Sequence, residues 1–360
     1  MNLLFVVPDL SNLGGVASHY SGLHDYWTFP FSYEYYGKRK GIPAIICFPF
    51  DILKYIFKLM FCRIDIVIVN PSLRRYQLIR DGIYILLAKL FCKKVVTFIH
   101  GWDTNLAPIL VRKPRLFKFV YNKSSLIFVL SGEFKKELFR MGITCPIRLT
   151  TTKVDDKLLK TFDVNHRTGE IKQILFLARI IKTKGIFITL DTFRLLKKEF
   201  PYLKLLVCGD GADLVEAEEY ILQNHIEDVI LTGAISGNTL IDAFKNSDLY
   251  ILPSYEEGMA TSILEAMAFG LPIVSRPVGG IVDYFIEGKM GHLISTFNPQ
   301  DFYECIRQLI LNPKLTQTIS ETNYLYALKH FLASTVAKDL EKILSEQFLQ
   351  DETNVSIQRK

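Results

Sequence analysis

Short apolar runs alternate along the chain with longer segments in which apolar and polar residues are mixed. The short runs are typical of buried parallel strands, and the longer segments are typical of the helices that connect such strands. The runs predict strands at residues 3–8, 65–70, 94–99, 126–130, 174–178, 203–208, 229–231, 249–252, 273–275 and 291–294. The mixed segments predict helices at residues 16–24, 77–91, 133–141, 184–199, 213–224, 239–246, 261–269, 299–311, 314–330 and 334–348.

Two stretches do not follow this alternation. Residues 26–50 are rich in Tyr, Phe and Pro and predict no firm element, although residues 42–60 are expected to be helical in part, with a break near Pro49. Residues 155–172 carry His, Asn, Thr, Gly and charged residues, which favours a linker. Strands that alternate with helices on both sides of this linker indicate parallel sheets, so we expect an α/β protein with two Rossmann-like domains, at residues 1–155 and 172–333.

The stretch 253–280, PSYEEGMATSILEAMAFGLPIVSRPVGG, carries the strongest candidate site. It begins as a loop after a predicted strand, and Thr261 or Ser262 is expected to cap the helix that follows. Loops and helix N-termini at this edge of a parallel sheet bind ligands, and the N–H groups there suit a diphosphate. The carboxylates Glu257 and Glu265 are candidate site residues. Each has a plain alternative, since Glu257 suits a solvated loop and Glu265 completes a capping box with Ser262.

Further candidates also lie where predicted strands end. His100 follows a buried strand directly, and Arg179 and Lys184 flank the loop after another strand. Lys184 is expected to open a helix, where a cation is better tolerated if an anion lies between it and the N–H groups. The loop 9–15 with Gly14 and Gly15 is a weak phosphate-binding pattern. The alternatives are a structural histidine, surface cations and a tight turn that lets a helix pack on the sheet.

The pattern of the second half resembles the signature of retaining glycosyltransferases of family four, which have the GT-B fold. The matching residues are Glu257-Gly258, Leu264-Glu265-Ala266-Met267-Ala268, Gly270, Pro272-Ile273-Val274 and Val278-Gly279-Gly280. The segment 177–185, LARIIKTKG, is similar to the family's G-R-x(4)-K-G, with Ala178 in place of the first Gly. Across residues 1–150 the resemblance is thinner and rests on Gly14-Gly15, His100-Gly101 and the order of the strands.

The resemblance implies a role for each matched position. Glu257 would lie over the hydroxyls of the donor sugar, and Glu265 would bind the ribose of the nucleotide. Arg179 and Lys184 would clasp the diphosphate, and His100 would reach the donor sugar. The catalytic residues implied are therefore His100, Glu257, Arg179 and Lys184. The donor-binding residues implied are Gly14, Gly15, Gly258, Met259, Ala260, Thr261, Ser262, Ile263 and Glu265. Gly209, where a predicted strand ends, is expected to shape the nucleotide-base pocket, and plain turn chemistry is the alternative. Met259-Ala260 and Asp283 depart from the family pattern near the sugar, so the sugar stays unidentified.

The same resemblance implies the architecture and the reaction. The two Rossmann-like domains of a GT-B protein face a central cleft, and the last helix, here residues 334–350, crosses back onto the first domain. The implied reaction is a hexosyltransferase-type transfer, with retention, from a nucleotide-diphosphate sugar to an acceptor hydroxyl during assembly of a cell-surface polysaccharide such as an O-antigen, a capsule or an exopolysaccharide. No metal and no cofactor other than the donor substrate are expected. The alternatives are a nucleotide-sugar epimerase, a phosphorylase that holds pyridoxal phosphate, and a non-catalytic subunit that binds nucleotide or glycan.

Charge is distributed unevenly along the chain. Residues 1–160 hold 24 Lys and Arg against 11 Asp and Glu, whereas the remainder holds 19 against 26. A basic front half suggests an acidic partner: an anionic membrane face, a lipid-diphosphate acceptor or nucleic acid. Segments 54–61 and 112–123 interleave cations with apolar and aromatic residues, which favours a membrane surface. Nucleic acid is less favoured because the chain has no recognisable nucleic-acid motif. The alternative is an ordinary amphipathic helix with a solvated face.

Hydropathy and cysteine usage bear on the compartment. Residues 1–7 are apolar but reach Pro8-Asp9 too early for a signal peptide, and no uncharged apolar run approaches the length of a membrane span. The six cysteines are scattered without a Cys-x-x-Cys pair, which suits a reducing compartment and buried thiols. We therefore expect a cytoplasmic protein, peripheral at the inner face of the cell membrane, that binds a nucleotide sugar and a glycan or lipid-linked glycan and no nucleic acid.

Overall fold

The chain forms two α/β units in a computed structural model that describes residues 1–11, 14–39 and 42–357, with side chains described as far as residue 349. Unit 1 consists of Met1–Lys153 and Ala333–Lys360, and unit 2 consists of Val154–Leu332. Asn12 and Leu13 of the predicted glycine loop, and the last three residues of the polar tail, lie outside the described residues.

Unit 1 is built on a parallel sheet. Its strands are β1 (Leu3–Pro8), β2 (Phe31–Tyr36), β3 (Ile66–Val69), β4 (Lys94–Ile99), β5 (Leu126–Val129) and β6 (Ile147–Leu149). Its helices before the crossing to unit 2 are α1 (Gly15–Leu23), α2 (Ala44–Phe61), α3 (Arg75–Leu90), α4 (Leu106–Arg112), α5 (Arg115–Tyr121) and α6 (Gly132–Arg140). The strand order is β2-β1-β3-β4-β5-β6, with every neighbouring pair parallel. Helix α3 packs between α2 and α5, and the apolar faces of these helices form one core with the sheet.

Unit 2 repeats the plan with a different strand order. Its strands are β7 (Gln173–Leu177), β8 (Lys204–Cys208), β9 (Val229–Leu231), β10 (Leu249–Leu252), β11 (Ile273–Ser275) and β12 (Gly291–Leu293). Its helices are α7 (Ile186–Glu199), α8 (Leu214–Gln223), α9 (Asn238–Lys245), α10 (Thr261–Ala268), α11 (Pro299–Leu311) and α12 (Pro313–His330). The order β12-β11-β10-β7-β8-β9 reverses between β7 and β10, and ligands of such sheets bind where the order reverses.

In unit 1, α4 and β6 lie where no element was predicted, and β2 and α2 also differ from the prediction. Strand β2 at the sheet edge falls within residues 26–50, where no firm element was predicted, because its aromatic residues alternate only weakly between buried and half-exposed positions. Helix α2 does not break near Pro49 but continues through it. A proline inside a helix removes one hydrogen bond and costs about 3 kcal/mol, and the burial of one face of α2 on the sheet offsets that cost.

The segment predicted to be a linker packs inside unit 2 instead. Arg167 is buried, and its guanidinium donates hydrogen bonds to the carbonyl oxygens of Phe244, Ser247 and Phe269. Burial lowers the pKa of this guanidinium to about 10, so it stays charged at neutral pH. Three hydrogen bonds therefore tie the segment around Arg167 to the rest of unit 2.

The last helix, α13 (Ala333–Ile357), belongs to unit 1 and extends past the predicted end at residue 348. The carboxylate of Glu341 accepts hydrogen bonds from the backbone N–H groups of Thr28 and Phe29, at 2.7 and 2.8 Å, and from Thr28 Oγ1 at 2.6 Å. These three bonds fix α13 beside α1, against the loop that precedes β2.

The six cysteines are free thiols, but the expectation that they are buried holds only in part. Cys47 and Cys208 are buried, whereas Cys62 and Cys92 are exposed because they lie just beyond the C-termini of α2 and α3. Within the described residues, the helices all fall short of the combination of length and apolar character that crossing a bilayer requires.

Candidate functional site

In unit 2, the loops that follow β7 and β10 meet where the strand order reverses. Lys184 lies in the first loop and Glu257 in the second, and their Nζ and Oε1 atoms are 2.6 Å apart. Only 15% of the lysine side chain and 12% of the glutamate side chain are exposed, so the pair is poorly screened by water. The sequence predicts both residues as site residues, and the structure brings them into direct contact.

Backbone contacts hold this pair in place. Tyr255 N donates to Thr183 O at 2.8 Å, and Ser254 Oγ donates to the same oxygen at 3.2 Å. Gly185 has φ +79°, and a Cβ atom there would lie 2.2 Å from Pro253 O. Lys184 ends a short 3₁₀ turn and precedes α7, whose first residue is Ile186, so the prediction that it opens the helix is wrong by two residues.

The loop after β8 supports the loop after β7 from the other side. Ile180 N donates to Asp210 O and Asp213 N donates to Ile180 O, both at 3.0 Å. Gly209 has φ +149°, and a Cβ atom there would lie 1.9 Å from Ala178 O. Packing of two loops therefore accounts for Gly209, and its contact with a donor stays a prediction. Arg179 lies between these contacts with an exposed side chain that pairs with no described residue, so its charge is available to an anion.

Helix α10 begins with open N–H groups beside the ion pair. Its N-cap is Ala260, not Thr261 or Ser262, and no side chain caps it. Ser262 Oγ instead lies 2.7 Å from the Tyr250 hydroxyl, so the capping box with Glu265 does not form. The N–H groups of Gly258, Met259, Ala260 and Ser262 donate to no acceptor among the described residues. Such a helix start is suited to an anion, as the sequence predicts for 260–263.

The paired glycines after β11 close the far side of this loop. Gly280 N donates to Gly258 O at 2.7 Å, and Gly279 has φ +67°. A Cβ atom on Gly279 would lie 2.4 Å from Glu257 O, so a side chain here would displace the carboxylate loop. The paired glycines thus hold the loop that carries Glu257 in position.

Two residues that support this site are absent from the sequence prediction. Tyr250 of β10 donates to Leu177 O at 2.9 Å and so ties the loop after β7 to α10 through Ser262. Burial raises the pKa of Tyr250, and the nearby charges of Glu257 and Glu265 raise it further, so the phenol stays protonated. Arg276 is buried after β11 and donates to Ser254 O at 3.2 Å. A tyrosine within the apolar run of β10 and an arginine directly after β11 are the only signals in the sequence.

In unit 1, His100 lies at the carboxyl end of β4 in a small polar cluster. Its Nε2 atom is 3.1 Å from Asn70 Oδ1, which also accepts a hydrogen bond of 2.7 Å from the Tyr20 hydroxyl. The amide nitrogen of Asn70 donates to Val6 O at 3.1 Å, which assigns Oδ1 as the acceptor toward His100. His100 Nε2 therefore carries the proton, and Nδ1 is left as an acceptor. The sequence predicts His100 but not Asn70 or Tyr20.

His19 lies beside His100, and Asp103 follows His100 three positions along the chain. His19 is buried with its ring centroid 5.1 Å from that of His100, and neither of its nitrogens has a hydrogen-bond partner. Burial lowers the pKa of His100 to about 3 and also lowers the pKa of His19, so both rings are neutral at pH 7. Asp103 Oδ1 accepts hydrogen bonds from the N–H groups of Asn105 and Leu106, where α4 begins.

Gly14 and Gly15 lie at the start of α1, with Gly14 as its N-cap. Among the described residues, no atom lies within 4 Å of a Cβ placed on either residue, so packing against them does not require glycine at these positions. A ligand that comes close to the backbone would be one reason for glycine at these positions. Contact of Gly14 and Gly15 with a donor stays a prediction.

The chain is similar to known glycosyltransferases. Residues 160–325 match the family described as Glycosyl transferases group 1. An uncharacterized glycosyltransferase of Methanocaldococcus jannaschii is 25% identical over 241 residues, which cover 67% of this chain and 65% of that protein. The capsular polysaccharide biosynthesis glycosyltransferase CapM of Staphylococcus aureus is 23% identical over 198 residues, which cover 54% and 50%. The chain thus spans between half and two thirds of the length of these relatives.

The fold is also that of solved glycosyltransferases. The crystal structure of HepE from Anabaena in complex with UDP and glucose has a TM-score of 0.72 at 17% identity, over 96% of this chain and 100% of that one. This likeness and the two parallel six-stranded sheets confirm the α/β GT-B fold that the resemblance implied.

Proposed function

We propose that this chain moves a sugar from a nucleotide-diphosphate sugar to an acceptor hydroxyl, since residues 160–325 match the family described as Glycosyl transferases group 1. The observation that carries the proposal is the Lys184–Glu257 pair beside the open N-terminus of α10. Lys184, the unpaired Arg179 and the free N–H groups at this helix start match the charge and the acceptor oxygens of a diphosphate. Glu257 would then face the hydroxyls of the sugar attached to it.

In the proposed reaction, the bond between the anomeric carbon and the diphosphate oxygen breaks first and leaves an oxocarbenium-like centre. Negative charge grows on the leaving diphosphate, and Arg179, Lys184 and the open N–H groups of Gly258, Met259, Ala260 and Ser262 stabilise it. The acceptor oxygen bonds to the anomeric carbon from the face that the diphosphate leaves. Its proton passes to an oxygen of the departing phosphate, so configuration is retained and no separate base is needed. The proposal includes no metal and no cofactor other than the donor.

We assign His100 a role toward the sugar as part of the same proposal. A neutral imidazole with Nδ1 free can accept a hydrogen bond from a sugar hydroxyl without adding positive charge near the developing cation. Asn70 and Tyr20 would act as positioning residues because they fix the tautomer and the ring of His100.

The relatives support a class of donor and of product. HepE was crystallised with UDP and glucose, and CapM is named for capsular polysaccharide biosynthesis. We propose a nucleotide-hexose donor and a step in cell-surface polysaccharide assembly, with a glycan or lipid-linked glycan as acceptor on unit 1. The basic front half supports peripheral attachment to the cytoplasmic face of an anionic membrane. Sedimentation with liposomes should then increase with their anionic lipid content, and indifference to lipid charge would contradict the attachment.

The test is incubation of the full chain with a panel of nucleotide sugars. Slow release of nucleoside diphosphate without acceptor supports transfer, and the first-formed sugar anomer, read by proton NMR, should match the donor. Interconversion of the sugar would support an epimerase instead, and binding without turnover would support a non-catalytic subunit. Lys184→Gln should lower the rate of release by about 100-fold or more, since one lost charge-stabilising donor costs that much. Lys198→Gln is the matched control because Lys198 is an exposed cation of the same unit, in the last turn of α7.

A further inference from the structure

Helix α2 is apolar on every side. Its inner face carries the buried residues Cys47, Asp51, Tyr55 and Leu59. The opposite face consists of large apolar side chains that are each 55–68% exposed: Ile46, Phe50, Leu53, Phe57, Met60 and Phe61. A helix on the surface of a soluble unit normally turns polar residues to water, whereas a helix that is apolar all round is typical of a buried position or of a membrane.

The charged side chains of α2 are drawn away from this outward face. Lys58 Nζ lies 2.8 Å from Glu34 Oε2 and Lys54 Nζ lies 3.7 Å from Glu34 Oε1, so both lysines are directed to the edge strand β2. Asp51 is fully buried and pairs with Arg39. No charge therefore interrupts the outward apolar face of α2.

The neighbouring helix α3 extends this surface. Its exposed apolar residues recur at helical spacing: Tyr76, Ile79, Leu86 and Leu90. A cavity of about 420 Å³ opens between α3, α4 and α5, and its walls are formed almost entirely by apolar side chains, including Ile79, Ile83, Leu86, Leu110 and Leu116. That volume lies within the range of about 300–1,000 Å³ that is usual for small-molecule sites. Because Ile79 and Leu86 belong both to the exposed stripe and to the cavity wall, the two are continuous.

Charge around this surface has one sign. Residues 42–123 contain 14 Lys and Arg and four Asp. Ten of these cations are exposed, whereas none of the four aspartates is. Arg75 and Lys113 are exposed, line the cavity and form no ion pair with any described residue, so they lie free at its mouth. An apolar face with a cationic border attracts a partner that is anionic outside and apolar inside.

A second copy of the chain does not fit this description. A symmetric dimer through this face would bring the same unbalanced cations together, and like charges across an interface oppose association. A bilayer with anionic lipid meets both requirements, since phosphate groups face the cations and acyl chains receive the apolar stripe.

We propose that α2, α3 and the adjoining cavity form a bilayer-docking surface, in which the cavity takes one acyl chain of an anionic phospholipid. Arg75 and Lys113 bind the phosphate of that lipid, and the outward face of α2 enters the acyl region. This inference rests on the membrane attachment proposed above and makes it specific. It does not depend on sugar transfer.

The first test measures binding of the full chain to vesicles. Wild-type protein should bind phosphatidylglycerol vesicles more tightly than phosphatidylcholine vesicles and keep part of its binding at about 0.5 M salt, where exposed charges are largely screened. Phe50→Ser/Phe57→Ser should weaken binding at least about tenfold, because two large side chains lose their transfer into the acyl region. Val215→Ser/Leu222→Ser on α8 is the matched control, with side chains 65% and 73% exposed, and should change binding less than about twofold.

The second test addresses the cavity with monomeric dodecyl phosphate in a calorimeter. Wild-type protein should bind one molecule, and Ile83→Trp should weaken that binding at least about tenfold because the indole fills the cavity. Arg75→Gln/Lys113→Gln should weaken it similarly, whereas Lys198→Gln/Lys314→Gln, two exposed cations of unit 2, should not. Thermal melting checks each fold, and Leu86→Trp replaces Ile83→Trp if the latter melts early.

Three results would overturn the proposal. One is dodecyl phosphate binding that survives the folded cavity-filling variant, and another is vesicle binding that Phe50→Ser/Phe57→Ser leaves unchanged. The third is a lipid-free dimer that this same double variant abolishes, which would make the surface a contact between copies. Release of nucleoside diphosphate from donor in lipid-free buffer should be normal in all these variants. Failure of that assay in wild type would refute sugar transfer and leave the docking result standing.

Discussion

Removing the charge of Glu257 is expected to tighten the binding of a nucleoside diphosphate. Lys184 Nζ donates to Glu257 Oε1 at 2.6 Å in a setting where both side chains are mostly buried. A diphosphate held by Lys184 must therefore share the ammonium with the carboxylate or displace it. Glu257→Gln keeps the shape of the side chain and removes that competition.

Two contributions of the same sign set the size of the effect. A charge-assisted hydrogen bond contributes about 1.5–3 kcal/mol net. In Glu257→Gln the diphosphate no longer has to displace a carboxylate from Lys184, so part of that free energy is added to the binding of the diphosphate. Repulsion between a carboxylate and a phosphate about 5 Å away amounts to about 3 kcal/mol per charge at an effective dielectric constant of about 20, before screening by salt. A gain of at least about 1.4 kcal/mol, or tenfold in Kd, is a cautious expectation. Turnover of the nucleotide sugar should fall in the same variant, because the proposed role of Glu257 is to position the sugar.

Isothermal titration with uridine, guanosine, adenosine and thymidine diphosphates identifies the best ligand, and a double-mutant cycle with Lys184→Gln then isolates the competition. Glu257→Gln should tighten binding in the wild-type background and do little once Lys184 is gone. The control is Glu216→Gln, which removes the same charge from the exposed Lys182–Glu216 pair, with side chains 61% and 52% exposed. Weaker binding by Glu257→Gln, or an equal gain in the control, would refute the reasoning.

Three other predictions concern stability. The folded-state pKa of His100, about 3, lies below the ordinary value of 6.5, so the unfolded chain takes up a proton first as pH falls. The contribution of His100 to the free energy of unfolding is fully present above about pH 6.5 and should fall by about 2 kcal/mol by pH 5. The lowered pKa of His19 adds to this loss. Chemical denaturation at both pH values should show a smaller loss for His100→Gln than for the wild type. Gly185→Ala should destabilise unit 2 by at least about 2 kcal/mol, because Gly185 has a positive φ and lies against Pro253 O. The control Gly288→Ala, at φ +74° with no neighbouring atom of the described residues within 4 Å, should cost about 1 kcal/mol. Equal denaturation midpoints for the two variants would contradict this. Glu341→Ala should cost about 2–4 kcal/mol, because Thr28 and Phe29 lose the acceptor of their N–H groups, and hydrogen exchange at those two amides should rise; unchanged protection would argue against the contact.

The regular part of the fold was predictable from local pattern. Strands such as β4 and β10 are continuous apolar runs between polar turns, and their observed bounds match the predicted ones. Strand β2 escaped prediction because it is an edge strand whose partly exposed aromatic residues do not alternate clearly. The supposed linker failed for a different reason: a polar, charged segment is normally solvated, yet Arg167 finds three carbonyl acceptors supplied by residues 77 to 102 positions away. No local pattern contains such partners.

The candidate site likewise contains residues that local sequence predicts and residues that it does not. Its charged residues stood out because Lys184 and Glu257 occur where strands end, and the structure joins them. The capping box was a sound local inference for Ser262 and Glu265, but Tyr250, twelve positions earlier, takes the serine hydroxyl. The partners of His100 were also invisible, since Asn70 lies 30 positions away and is recruited by the parallel pairing of β3 with β4. The charged residues of the site can therefore be predicted from local sequence, whereas their partners come from strand ends that are distant along the chain.

Hydrogen exchange of the full chain with and without its best nucleoside diphosphate tests the central claim most directly. The account predicts protection of amides in two segments of unit 2, residues 179–185 and 258–263, where Lys184 and the start of α10 would hold the diphosphate. Lys184→Gln should reduce that protection at equal ligand concentration. Saturating ligand that leaves both segments unchanged, and protects amides elsewhere instead, would contradict the account.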